Sequence, residues 1–310
     1  MELQEVAQQL FFIFGCARSG TTLCQAMLSS HPEVAIPDET CFYSRVYKDN
    51  YDRLGELTTD NWQEALKLSL EFYRIQDLQL DPSAIKAKCL QQNPSWETIF
   101  LAILALYAEK QGVKRVGEKT PRHIAYIERL QRVFPQARFI YLVRDPRAVV
   151  LSLMNAPFGS RRIGNSCNLW LYGHGYHQGY RNALGDRYKI VRYEDLVTQP
   201  ESTLREICQF LSLQFSPQML QFHRRKELGF NKRDFQHMSN TLKPLFTSSV
   251  DKWREELSSA QIAIVQSALG KEMQEMGYEP VAASTVLPYV QYKLDVWSET
   301  LGNRLRKIRK

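Results

Sequence analysis

The chain has 310 residues, enough for one large domain or two small ones with a full buried core. Hydrophobic residues are 44% and charged residues 24%, an ordinary globular balance that excludes disordered, collagenous and disulfide-stapled classes. Lys and Arg number 40 against 33 Asp and Glu, and the resulting net charge of +7 suits an anionic ligand or surface but is too dispersed to argue for nucleic acid.

Residues 1–10 carry two Glu and no basic stretch, so they do not read as a secretory signal. Residues 10–14 form a short apolar run of branched and aromatic side chains ending at Gly15, the pattern of a buried parallel strand. Residues 22–30 have helical spacing, and His31-Pro32 stops that helix. Residues 50–115 read as helical, with Asp81-Pro82-Ser83 and Asn93-Pro94-Ser95 as helix starts. The longest apolar run, residues 99–108, is about half of the roughly 20 residues a bilayer needs, so a buried helix is expected there.

Residues 138–143 predict a second buried strand, Arg144-Asp145-Pro146-Arg147 a turn, and a helix follows to about Asn155. A third strand is expected over residues 188–192, and a helix from Gln199-Pro200-Glu201 through Leu211. Strands alternating with helices imply crossover connections, hence a three-layer, P-loop-like α/β domain with a central parallel sheet flanked by helices. It is expected to occupy residues 1–280, with residues 281–310 as a basic C-terminal extension. That end reads as a solvated tail or as a basic helix for an anionic membrane or a partner. The cysteines at 16, 24, 41, 89, 167 and 208 include no Cys-x-x-Cys pair and no zinc spacing, so reduced, mostly buried thiols are expected.

Gly15-Cys16-Ala17-Arg18-Ser19-Gly20-Thr21-Thr22 has the Gly-x-x-x-x-Gly frame of a phosphate loop between a strand and a helix. Successive N–H groups there can converge on a phosphate at a helix N-terminus. Arg18 adds a fixed charge, and Ser19, Thr21 and Thr22 add hydroxyls. Thr21 stands where a P-loop nucleoside triphosphatase has Lys, and Asp145 is flanked by Arg144 and Arg147, so magnesium-dependent ATP or GTP hydrolysis is disfavoured.

This loop resembles the 5′-phosphosulfate-binding loop of sulfotransferases that use 3′-phosphoadenylyl sulfate (PAPS). Its Arg form is that of the tyrosylprotein and bacterial types. Val143-Arg144-Asp145-Pro146-Arg147, with Ser152 after it, resembles the family's second signature, in which the Arg and the Ser hold the 3′-phosphate. The resemblance spans residues 11–253 and implies a PAPS-dependent enzyme that needs no metal and releases 3′-phosphoadenosine 5′-phosphate. Arg144 could instead pair with Asp145 or Glu194.

Sulfuryl transfer needs an in-line acceptor oxygen, stabilisation of the departing bridging oxygen and a general base. By the same resemblance Glu39 in Asp38-Glu39-Thr40 is the first candidate for the base, with Asp38 beside it and His123 as the rival. Lys119 in Gly117-Glu118-Lys119-Thr120-Pro121 is the electrostatic candidate, with Arg18 sharing that role. Tyr193 and Lys252 are further cofactor-binding candidates. The Ser that the family places before Lys243-Pro244 does not align cleanly, with His237 or Ser239 nearby. The implied partner is an acceptor with a hydroxyl: a small metabolite, a lipid, a sugar or a peptide tyrosine. Aromatic residues such as Phe42, Tyr43 and Phe158 could line its pocket or fill the core. No nucleic acid and no transmembrane segment are expected, a cytoplasmic location is, and a homodimer is left open. A P-loop kinase and a non-catalytic binding protein on the same fold are the alternatives.

Overall fold

The computed structural model describes residues 1–156, 162–224 and 242–283, together with 290, 292 and 294. Phe158, His237, Ser239 and the basic end at 303–310 lie outside the described residues.

Five strands form one sheet: β1 (Phe11–Gly15), β2 (Val34–Ala35), β3 (Arg115–Lys119), β4 (Arg138–Val143) and β5 (Tyr188–Arg192). Their order is β2-β3-β1-β4-β5 and every pairing is parallel. The helices are α1 (Leu3–Gln9), α2 (Thr21–Ser29), α3 (Lys48–Leu54), α4 (Trp62–Glu71), α5 (Tyr73–Gln76), α6 (Pro82–Leu90), α7 (Trp96–Lys110) and α8 (Ile127–Val133) in the first half. The second half adds α9 (Pro146–Met154), α10 (Ile163–Leu184), α11 (Tyr193–Thr198), α12 (Pro200–Phe210), α13 (Lys252–Glu256) and α14 (Ser259–Glu275). Among the described residues no helix is long and apolar enough to cross a membrane.

The sheet is buried on both faces, and β1 shows how. Phe12 and Phe14 point to one side, against Phe100 of α7 and Phe139 of β4, with ring centroids 5.6–6.2 Å apart. Phe11 and Ile13 point to the other, into a cluster with Met27 of α2 and Leu204 and Ile207 of α12. The period-two alternation of a strand thus serves two apolar layers, which is why residues 10–14 read as an unbroken apolar run.

Helix starts follow the sequence signals. Asp81 caps α6 by accepting from the Ser83 amide, Ser95 caps α7 through the Thr98 amide, and Asp145 caps α9 through the Arg147 amide. The expected helical region ends earlier than 115, because Arg115 begins β3. Tyr278 and Val281 are knitted to the body: Tyr278 donates to Glu194, and Val281 exchanges both backbone bonds with the Gln266 side chain.

The topology positions the site. β1 is central, with β3 on one side and β4 on the other. The segments after the carboxyl ends of all three strands gather at one edge, where ligands bind in open parallel sheets.

Candidate functional site

The loop after β1 turns sharply, with the Ser19 amide donating to the Cys16 carbonyl at 3.1 Å. Arg18 has φ 72°, a left-handed conformation that costs a non-glycine residue on the order of 1–2 kcal/mol. Gly20 has φ 91°, and a Cβ there would lie 2.4 Å from Cδ2 of Tyr193, so only glycine fits between the loop and that ring. Gly20 precedes α2 without any side-chain cap, so the first amides of that helix and its positive end face the loop.

The turn after β4 meets this loop from the other side. Arg144 is 9% exposed and lies over the Tyr193 ring at 4.3 Å. Its Nη1 donates to the Arg18 carbonyl at 3.0 Å and its Nη2 to the Ser249 carbonyl at 2.7 Å. Arg18 Nε donates to Ser152 Oγ on α9 at 2.9 Å, and Tyr193 and Ser249 share a 2.6 Å hydroxyl–hydroxyl bond. Burial, and next the proximity of Arg144, lower the pKa of the Arg18 guanidinium from its usual value. Two like charges in one cleft make it electropositive.

Arg144 forms neither of the ion pairs considered for it. Asp145 is instead paired with Arg147, Nη2 to Oδ2 at 2.7 Å, and Arg147 lies over Trp253 at 3.9 Å. Glu194 accepts from the Asp145 amide at 2.9 Å. Of the two arginines in this turn, Arg147 is tied to Asp145 and Trp253, and Arg144 to the loop after β1.

A cavity of about 1110 Å³ opens between these elements. Arg18, Gly20, Thr21, Thr22, Arg144, Ser152, Tyr193 and Lys252 all line it. Ser19 is fully buried and does not line the cavity; its Oγ and Arg144 Nε have no hydrogen-bond partner. Lys252 is half exposed and pairs with Glu256 at 2.9 Å. Lys243 and Ser249 also border the cavity. Ser249 was not singled out from the sequence: it follows Lys243-Pro244 rather than preceding it.

Glu39 and Lys119 come together on the β3 side of β1, outside the lining of that cavity. Lys119 Nζ donates to Glu39 Oε1 at 2.7 Å, with the lysine fully buried and the carboxylate side chain 27% exposed. Lys119 ends β3 in register with Ile13 of β1, two residues before the phosphate loop begins. Asp38 Oδ1 accepts from the Glu39 amide at 2.8 Å.

His123 does not reach this pair. It is fully buried, its Nδ1 lies 2.8 Å from Glu118 Oε2, and its Nε2 accepts from the Tyr43 amide at 3.1 Å. With Nε2 accepting, the ring proton is on Nδ1 and the imidazole is neutral. Both ring nitrogens are engaged in this arrangement, away from the Glu39–Lys119 pair.

Comparison with known proteins gives a consistent picture. A model described as the sulfotransferase family matches residues 11–217. The chain is 26% identical over 306 residues to a protein-tyrosine sulfotransferase of Drosophila melanogaster, covering 96% of this chain and 56% of the fly protein. It is 25% identical over 291 residues to protein-tyrosine sulfotransferase 1 of Danio rerio, covering 88% of this chain and 73% of that protein. The sulfotransferase domain of the Synechococcus PCC 7002 olefin synthase superposes with a TM-score of 0.61 at 26% identity, covering 87% of this chain and 94% of that domain.

Proposed function

Because this chain belongs to the sulfotransferase family, we propose that it moves a sulfuryl group from PAPS to the hydroxyl of an acceptor. The observation that carries this reading is that Arg18 and Arg144, from two different strand–turn–helix units, line the same cavity. A 3′,5′-bisphosphorylated adenosine presents two separate anions, and that cavity offers a donor set for each. Arg18, Thr21 and Thr22 with the α2 amides suit the 5′ end, with Ser19 buried behind them in the same loop. Arg144 and Ser152 suit the 3′-phosphate, with Lys252 able to reach the nucleotide from the cavity rim. Leu23, Val197 and Phe222 give the same cavity an apolar wall for a base ring.

PAPS supplies an activated sulfur whose bond to the bridging oxygen is the one broken. In the proposed reaction the acceptor oxygen forms the new bond to sulfur in line with it. Glu39 takes the acceptor's proton, as the carboxylate that reaches solvent beside Lys119. Lys119, with Arg18, neutralises the charge that develops on the bridging oxygen, which leaves as part of the 5′-phosphate. The bond between Lys119 and Glu39 supports this pairing of roles, since each side chain fixes the other's orientation.

The acceptor class is a hydroxyl. The relatives named for protein tyrosine make a tyrosine peptide one member of the panel to be tried, beside small-metabolite, lipid and sugar hydroxyls. Incubation with PAPS and these acceptors, followed by mass spectrometry, should show products heavier by one SO3 group and release of 3′-phosphoadenosine 5′-phosphate. Calorimetry should show that bisphosphate binding far more tightly than ATP with magnesium. The opposite order of affinities would overturn the reading in favour of a nucleoside triphosphate enzyme.

A further inference from the structure

Three successive backbone amides, those of Cys41, Phe42 and Tyr43, open the π-helical turn Phe42–Tyr47. Such amides have no partner within their own helix. Here the Cys41 amide donates to Thr120 Oγ1 at 3.2 Å, the Phe42 amide to Thr40 Oγ1 at 3.3 Å and the Tyr43 amide to His123 Nε2 at 3.1 Å. Each of those side chains passes a hydrogen on to one carboxylate. Thr120 and Thr40 donate to Glu118 Oε1 at 2.6 and 2.8 Å, and His123 Nδ1–H donates to Oε2 at 2.8 Å. Glu118, His123, Thr40 and Thr120 are all buried.

The strand position of Glu118 gives this relay its consequence. It precedes Lys119 on β3, and the amides it holds follow Glu39 by two to four residues. The other end of the Glu39 loop is held separately: Gln25 of α2 donates to the Pro37 carbonyl at 2.7 Å. Glu39 is therefore clamped between two fixed points, and its distance to Lys119 depends on both.

We propose that Glu118 is the positioning residue of the transfer site, setting the Glu39–Lys119 geometry through Thr40, Thr120 and His123. The proposal rests on the sulfuryl-transfer reading for its catalytic meaning. A buried carboxylate is stable only when its acceptor capacity is filled, and three neutral donors fill it here. Glutamine cannot replace it. Its amide oxygen still accepts from two hydroxyls, but its NH2 group faces the His123 Nδ1–H. Should the ring shift its proton to Nε2, that proton would face the Tyr43 amide instead.

The test compares Glu118→Gln with wild type in steady-state kinetics and in 15N NMR of the His123 ring at pH 7, assigned by the signals lost in His123→Gln. The expected results are a neutral wild-type ring with its proton on Nδ1, and a Glu118→Gln kcat at least tenfold lower with the KM for PAPS within threefold. Binding of 3′-phosphoadenosine 5′-phosphate should also stay within threefold, because its cavity does not include Glu118. If Glu118→Gln fails to fold, Thr120→Val and Thr120→Ser take its place. Valine should lower kcat at least fivefold, and serine, which keeps the hydroxyl, should restore most of it. A wild-type ring protonated on Nε2, or wild-type kcat in both Glu118→Gln and Thr120→Val, overturns the proposal. A wild-type chain that shows the Nδ1 tautomer yet transfers nothing from PAPS removes the transfer reading and keeps Glu118 as the anchor of the Glu39 loop.

Discussion

Arg144 Nη1 donates to the carbonyl oxygen of Arg18 at 3.0 Å, so the turn after β4 braces the backbone of the loop after β1. The contact explains how Arg18 can be held at φ 72°. A strained residue persists where its surroundings over-determine it, and here the surroundings are a second arginine directed at the same cavity.

Arg144→Lys should weaken the bisphosphate product by about 10- to 50-fold, in line with about 1.5–2.5 kcal/mol for charge-assisted hydrogen bonds. Lysine keeps the charge but cannot reach the Arg18 and Ser249 carbonyls and still present a donor to a phosphate. Calorimetry with 3′-phosphoadenosine 5′-phosphate measures this, and an unchanged affinity would remove Arg144 from the nucleotide site.

Gly20→Ala should both destabilise the fold and impair binding. The added methyl meets the Tyr193 ring at 2.4 Å, and φ 91° is strained for alanine. A cost on the order of 1–3 kcal/mol is expected from overpacking and backbone strain together. Thermal denaturation with and without the bisphosphate should show a lower midpoint and a smaller ligand-induced rise.

Glu39→Gln should reduce kcat by about 10²- to 10⁴-fold, the usual range for a lost general base, with the bisphosphate affinity unchanged. Lys119→Met should also lower kcat, since it removes the buried cation bonded to Glu39. The same two variants with intact turnover would exclude this pair from the chemistry.

Acid should destabilise the protein through His177. Its ring is buried against Tyr141, stacked at 4.7 Å, with Nδ1 3.0 Å from the Tyr188 hydroxyl, and burial, followed by His174 and Arg181, lowers its pKa to about 4. The unfolded chain, with an ordinary histidine, binds the proton first. Stability is therefore fully present above pH ~6.5 and lost as pH falls from there toward 4, by an amount on the order of 2–3 kcal/mol. Denaturant unfolding at pH 7 and pH 5 should show this slope, and His177→Gln should flatten it.

The sequence carried the architecture wherever apolar runs dominated. β1, β4 and β5 and the turns after them lie where the hydrophobic pattern puts them. It concealed β3, because Arg115, Glu118 and Lys119 interrupt the apolar pattern of a buried strand. Those charges are tolerated inside because hydrogen bonds satisfy them: Glu118 has three donors and Lys119 has Glu39. Local rules fail here because the partners that satisfy these charges come from elsewhere in the chain. His123 stands apart from Lys119 for a related reason. Spacing placed it four residues after Lys119, but the 3-10 turn Pro121–Tyr126 directs its ring at Glu118. Ser249 lay beyond reach, since only folding brings it to Tyr193.

The central place of β1 separates two kinds of specialisation. The loop after β1 lines the cavity together with the turns on the β4 flank, while Glu39 and Lys119 stand apart on the β3 flank. Under the proposed reading, such a scaffold can take a new acceptor by remodelling the β3 flank alone, with the nucleotide side left as it is.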